Sequence, residues 1–298
     1  MLDVSGIDGG GTIQARGVSV ELFGEFVSFN AATTGVMDAG DITINARKLV
    51  IQNGAQVLTT TYGKGAAGNI NVNASDSVEL TSLPNQTGFF IPSALSSSTF
   101  ADGNGGNITI NTSRLYIYSG AWISLATSGQ FEFDNFQFIL AKGKGGNLTL
   151  NASELIELVG TNSSISSRTI NSANAGNLTI STKQLIIRDE AEISVSSESP
   201  QPPLNFTIVG DTNNLGNAGE LNINANSILL DNQGKLISET ESAKGGNINL
   251  QLQDLLLIRR NSQISTNAGK AQQIGDGGNI NINIPNGFIV AVPEENSD

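Results

Sequence analysis

The chain of 298 residues reads as an all-β protein, a parallel β-helix (solenoid) of about nine three-stranded rungs with insertions at the corners. Three observations predict this. A six-residue figure returns along the whole length: GDITIN from Gly40, GNINVN from Gly68, GNITIN from Gly106, GNLTLN from Gly146, GNLTIS from Gly176, GELNIN from Gly219, GNINLQ from Gly246 and GNININ from Gly278, with a fainter GTIQAR from Gly11. Within each figure apolar and polar side chains alternate with period two, which marks a half-buried strand and not a helix. From glycine to glycine the spacings run 29, 28, 38, 40, 30, 43, 27 and 32 residues. A constant rung that carries occasional insertions produces that distribution, as solenoids tolerate.

The first strand of each rung starts two residues after its glycine. Its first apolar position is Ile42, Ile70, Ile108, Leu148, Leu178, Leu221, Ile248 or Ile280. Its second is Ile44, Val72, Ile110, Leu150, Ile180, Ile223, Leu250 or Ile282, and the outward position between them is always Thr or Asn. The glycine is expected to supply a backbone corner that other residues reach only with strain. A second strand follows, as in Leu49-Val50-Ile51, Leu115-Tyr116-Ile117 and Leu185-Ile186-Ile187. A third follows a small turn, as in Ala55-Gln56-Val57, Ala121-Trp122-Ile123 and Ala191-Glu192-Ile193. At ~4.8 Å per rung, about nine rungs make a rod roughly 40 Å long. Asn recurs beside the glycine at 69, 107, 147, 177, 247 and 279 and closes the strand at 45, 73, 111, 151, 224 and 283. Identical amides stacked rung over rung are expected to hydrogen-bond along the axis.

A pair of globular β-sandwiches would also give short strands, but not the same figure at every rung. The whole of 1–298 is therefore read as one β-helical segment, with insertions at 83–92, 128–143 and 199–217 and an incomplete terminal rung at 285–298. Within that last stretch, Gly287 to Val292 is expected to begin another rung. The prolines agree, since Pro84, Pro92, Pro200, Pro202 and Pro203 fall in insertions and Pro285 and Pro293 in the final half-rung. None removes an N–H from a core strand.

Composition narrows the function classes. Lys and Arg number 15 against 27 Asp and Glu, a net charge of −12, which repels phosphate backbones and anionic lipid. Nucleic acid is not an expected partner. No apolar run approaches the ~20 residues that span a bilayer, so membrane insertion is not expected either. With no cysteine and no histidine, disulfides, thiolate metal sites, cysteine nucleophiles and the commonest general base are all excluded.

The insertions are where individuality lies. Between Ser128 and Gly143, Phe131, Phe133, Phe136 and Phe138 alternate around Asp134-Asn135, the pattern of a β-hairpin that protrudes from the rod. The 83–92 insertion carries Phe89 and Phe90, and the 199–217 insertion carries Phe206. Two readings stand. These rings fold back over the rod and are buried, or they form an exposed aromatic contact patch. Phe131, Phe133, Phe136, Phe138, Phe89 and Phe90 are the candidate contact surface.

Three stretches offer chemistry that competes with ordinary structure. Gly6 to Thr12, GIDGGGT, resembles the phosphate-binding loop of actin-like sugar kinases, but a degenerate first rung explains Gly11 and Ile13 directly. Asp102 to Gly106 and Asp211 to Asn213 resemble the start of a calcium loop whose bidentate Glu is missing, with Ser113 and Asn222 in its place. Polysaccharide cleavage needs clustered carboxylates. Glu239 and Glu241 share a strand face and Asp189, Glu190 and Glu192 are close in sequence, but none has an evident catalytic partner at a neighbouring rung. No catalytic residue, cofactor or metal site is expected.

GDITINARKLVIQNGAQV, GNINVNASDSVEL, SALSSSTFADGNGGNITINTSRL and the closing NGFIVAVPEENSD resemble the repeat region of filamentous-haemagglutinin-like exoproteins, bacterial passengers of two-partner secretion sometimes described as S-layer family proteins. The resemblance covers nearly the whole chain. It implies a right-handed β-helix, a partner outer-membrane transporter during export, and a place outside the cell or on the outer-membrane surface. The signal peptide and secretion domain of such proteins are not visible here, so a segment of a longer exoprotein is expected. The function this leads to is a non-catalytic structural and adhesive rod with a surface glycan or protein as ligand. The alternatives are a polysaccharide-active β-helix enzyme, a lyase or hydrolase, and a passive spacer with no ligand.

Overall fold

The computed structural model describes residues 1–82, 91–202, 205–212, 214–269 and 275–293, which form strands and turns with no helix among them. Two parallel sheets run the length of the molecule. One stacks long strands, Ile42–Gln52, Ile70–Thr81, Ile108–Tyr118, Leu148–Val159, Leu178–Arg188, Leu221–Asp231 and Ile248–Arg259. The other stacks six-residue strands, Ser28–Thr33, Gln56–Thr61, Ala94–Thr99, Trp122–Thr127, Ser164–Thr169, Glu192–Ser197 and Lys235–Thr240. With the shorter strands at either end, each stack passes through nine strands in chain order, so the fold is a parallel β-helix of nine rungs. The repeated figure is in strict register: Ile108 lies between Ile70 and Leu148, and Ile110 between Val72 and Leu150.

Each rung is built a little differently from the expectation of three separate strands. In the inner rungs the first two run on as one bent strand of 11 or 12 residues. No glycine or proline interrupts the bend, so the backbone turns without leaving its ladder. Rungs with the extra residue absorb it there, as between Ala74 and Ser77. The two halves are distinct strands only at the ends, as Ile13–Arg16 with Ser19–Phe23 and Ile280–Asn283 with Phe288–Val292. Phe288–Val292 begins no new rung. A turn closed by the Gly287 N–H to the Ile284 carbonyl returns it to the same sheet, paired with Leu255–Arg259.

The two apolar columns share one core with Leu49, Ile51 and Val57 and their counterparts in later rungs. Ile42, Ile70, Ile108, Leu148, Leu178, Leu221 and Ile248 are fully buried, and so are their partners two residues on. Each such side chain contributes about 1.5–3 kcal/mol relative to exposure. At the last rung Ile280 is 42% exposed. The described prolines, at 92, 200, 202, 285 and 293, all lie outside strands.

The repeated glycine has a different cause from the one its sequence suggests. None of these glycines has a positive φ, and the left-handed residues sit instead at the turn before the short strand, among them Asn53, Ser119, Asn162 and Asn232. What Gly106 requires is proximity: a Cβ there would lie 2.0 Å from the Gly68 carbonyl oxygen of the rung before. Gly146 stands in the same relation to Gly106, at 2.0 Å. Glycine is needed because successive rungs pack backbone on backbone.

The amide columns bond as expected. Asn69 Oδ1 accepts the backbone N–H of Asn107 at 2.9 Å, Asn107 Oδ1 that of Asn147 at 2.8 Å, and Asn147 Oδ1 that of Asn177 at 2.9 Å. In the second column Asn45, Asn73, Asn111 and Asn151 pass Nδ2 to Oδ1 at 3.0, 2.9 and 2.9 Å. A buried hydroxyl column closes the turn between each short strand and the glycine that follows it. Thr33, Thr61 and Thr99 donate to the carbonyls of Met37, Gly65 and Gly103 at 2.8, 2.6 and 2.5 Å.

Candidate functional site

The expected hairpin forms, with strands Gly129–Glu132 and Gln137–Leu140 and Asp134-Asn135 in its turn. It does not stand alone. Thr207–Val209, from the 199–217 insertion, pairs parallel with Gln137–Ile139 and makes a third, three-stranded sheet. Two insertions, with paired residues 70 apart in sequence (Gln137 with Thr207), therefore build one platform beside the rungs. Phe138, Leu140 and Ile170 form its own small core, against which Phe206 and Ile208 pack.

The aromatic residues divide between the two readings. Phe138 is buried, while Phe131, Phe133 and Phe136 are 41%, 71% and 58% exposed. Phe131 packs on Phe138 with ring centroids 4.7 Å apart, and Phe206 meets Phe131 edge-on at 5.1 Å and Phe133 at 5.7 Å. Phe136, 5.9 Å from Phe206, is held at the turn with a positive φ. Edge-to-face packing at these distances fixes ring orientation. Phe26 and Phe288 are also exposed, but neither packs on another ring among the described residues. Phe89 and Phe90, the remaining pair of the candidate surface, lie outside the described residues.

Beside this platform a groove crosses the outer face of the short-strand sheet. It comprises three joined hollows of about 410, 510 and 300 Å³. Glu192, Ser194, Ser196 and Glu198 line the first two, and Glu198 and Glu241 continue into the third, where Phe131 and Phe138 form a wall. Here the structure corrects one expectation. The register that sets Ser196 beside Glu239 carries Glu241 alongside Glu198 on the adjacent rung, so two glutamates of neighbouring rungs line one hollow. The signal was in the sequence, but the rungs differ in length by 13 residues there, which hides the alignment until the insertion is removed. Each carboxylate is engaged locally. Glu198 pairs with Arg168 at 3.4 Å and accepts the Ser196 hydroxyl at 2.8 Å, and Glu239 accepts from Ser265 at 2.7 Å. Glu241 accepts the Ser199 N–H at 2.9 Å.

Other candidates resolve into rung structure. The N–H groups of Gly6, Gly10 and Gly11 bond to the carbonyls of Ala32, Asp38 and Val4, so this glycine-rich loop presents none of these three to a phosphate. Asp102 lies 3.7 Å from Lys142, and Asp211 accepts from Asn214. Asn213 lies outside the described residues. No group of three or more acidic side chains fit to hold a metal ion occurs among the described residues.

A charged network lines the turn that precedes the short strands. Burial, and then a 2.5 Å hydrogen bond to Glu157, holds the Tyr118 hydroxyl above its ordinary pKa. Asp231, with a side chain only 3% exposed, accepts from Arg260 Nε at 2.6 Å and from Arg259 at 2.9 Å. The Arg260 bonds first, then those of Arg259, pull its pKa down to about 2 against the opposing effect of burial. This network ties rungs together.

Compared with known proteins, the chain matches no family model, no curated protein and no solved structure.

Proposed function

We propose that the chain is a non-catalytic adhesive rod whose rungs serve to hold an aromatic contact surface in place. The observation that carries this reading is the ring cluster of Phe131, Phe133, Phe136 and Phe206 on a sheet made from two insertions. Exposed aromatic residues gathered at one place and fixed by neighbouring rings are the usual anchors of a protein interface. The ligand class is a surface glycan or protein. The resemblance to filamentous-haemagglutinin-like exoproteins adds export through a partner outer-membrane transporter and a place on the outer surface or outside the cell. The test is retention of the chain on panels of immobilised glycans and extracellular proteins, with Phe131, Phe133 and Phe136 changed together to Ser. The triple variant is expected to lose retention; equal retention by both chains removes the contact surface, and no retention of either leaves a spacer.

A second reading, cleavage of polysaccharide, has one observation in its favour: Glu198 and Glu241 adjoin in one groove. Paired carboxylates on a saccharide-sized cleft are the equipment of glycoside hydrolysis. Against it, Glu198 is committed to Arg168 and Ser196, and Glu241 to the Ser199 N–H. Turnover of neutral or acidic polysaccharides that disappears in Glu198→Gln and Glu241→Gln would establish this reading instead.

A further inference from the structure

We infer that the groove over the short-strand sheet is a second binding site, for an extended peptide segment rich in lysine or arginine. Its lining gives the charge. Glu190, Glu192, Glu198, Glu239 and Glu241 face Arg168 and Lys235, five carboxylates against two cations, and Arg168 is already paired with Glu198. The net charge of −12 deepens the potential there. Charge complementarity of this kind steers a cation into the groove and rejects acidic polysaccharides. A metal ion is a poor fit, since the described residues bring no three ligands together.

An independent feature points the same way. Ser194 is only 8% exposed, and its side chain projects between the inward Ile193 and Val195 into the groove, where it lines two of the hollows. Its neighbours in the column are Ser166, which donates to Ser124 at 3.1 Å, and the apolar Ile237. The Ser194 hydroxyl has no side-chain or backbone partner among the described residues. A peptide carbonyl or amide laid in the groove would be within reach of it, since a hydroxyl both donates and accepts. The strand Glu192–Ser197 beneath has six residues, so an extended segment of similar length matches it at ~3.3 Å per residue. At the far end Phe131 and Phe138 offer an apolar wall to the stem of a basic side chain and a ring face to its charge. The groove shares Phe131 with the ring cluster but not Phe133 or Phe136, and its test leaves all three intact.

The probe is a fluorescent octapeptide that alternates lysine and alanine, titrated against the full chain by anisotropy. Binding is expected to saturate and to weaken about tenfold or more as salt rises from about 50 to about 300 mM. Glu192→Gln with Glu239→Gln should weaken it at least ~10-fold, and Ser194→Val, which fills the groove, by a further few-fold. Asp134→Asn with Asp254→Asn removes the same charge from exposed positions outside the groove and should change binding less than ~2-fold. Thermal unfolding checks that each variant folds. Equal loss in both charge pairs would mean diffuse attraction and overturn the site. So would saturable, salt-independent binding of a neutral oligosaccharide such as cellohexaose with no binding of the peptide.

Discussion

The rungs and the platform beside them are both β-sheet, yet they are specified in different ways. In the rungs every position answers to the residue one turn above and below. Ile108 is buried by Ile70 and Leu148, Asn107 bonds to Asn69 and Asn147, and Gly106 leaves room for the carbonyl of Gly68. Such a column repeats itself, and stability accumulates rung by rung. In the platform, Gln137–Ile139 pairs with Thr207–Val209, two stretches with no likeness to each other or to any rung. Phe138 is buried in a small core of its own, while Phe131, Phe133 and Phe136 stay exposed. The difference separates what builds from what is free to recognise.

The comparison breaks most readily at the rungs. Ile108→Ala removes a fully buried side chain from the middle of the stack and should lower stability by about 4 kcal/mol, measured by denaturant unfolding. Gly106→Ala tests backbone proximity rather than dihedral freedom. Its Cβ would meet the Gly68 carbonyl oxygen at 2.0 Å, and the expected loss is roughly 3 kcal/mol. A loss below ~1 kcal/mol would show that the rungs part easily.

A pH series probes the ties between rungs. Asp231 has its folded pKa depressed to about 2 by Arg260 and Arg259, against an ordinary value of 3.8. Its stabilisation is therefore complete above about pH 4 and is lost as pH falls through about 2, a change of about 2 kcal/mol. Asp231→Asn should flatten that part of the pH–stability profile, and a profile identical to the unaltered chain would remove the role given to this carboxylate. The smallest effect belongs to the platform. Phe133→Ser with Phe136→Ser alters exposed rings and should leave the unfolding midpoint within ~0.5 kcal/mol of the original.

The two regions were also unequally legible in the sequence. Period two placed the apolar columns, and identical residues at fixed offsets placed the amide ladders, because both depend on positions that recur. The bend that fuses two strands left no mark, since a chain can turn there without Gly or Pro. The glycine was visible but its cause was not: proximity to the next rung is a tertiary fact that a one-dimensional pattern does not distinguish from a left-handed turn. The hairpin was legible from Asp134-Asn135 and the flanking phenylalanines, which are local. Its partner Thr207–Val209 was not, and neither was the hollow that Glu198 and Glu241 share, because both depend on how insertions of unequal length are folded away. The candidate site was thus half visible, as a list of rings without the surface they form.

The division between building and recognising is tested most directly by hydrogen exchange on the full chain, with and without the panel component that retains it. New protection is expected in 129–140 and 205–210, with exchange in the long strands, such as Leu178–Arg188 and Leu221–Asp231, unchanged. Protection that appears along the long strands and leaves the platform untouched would contradict it.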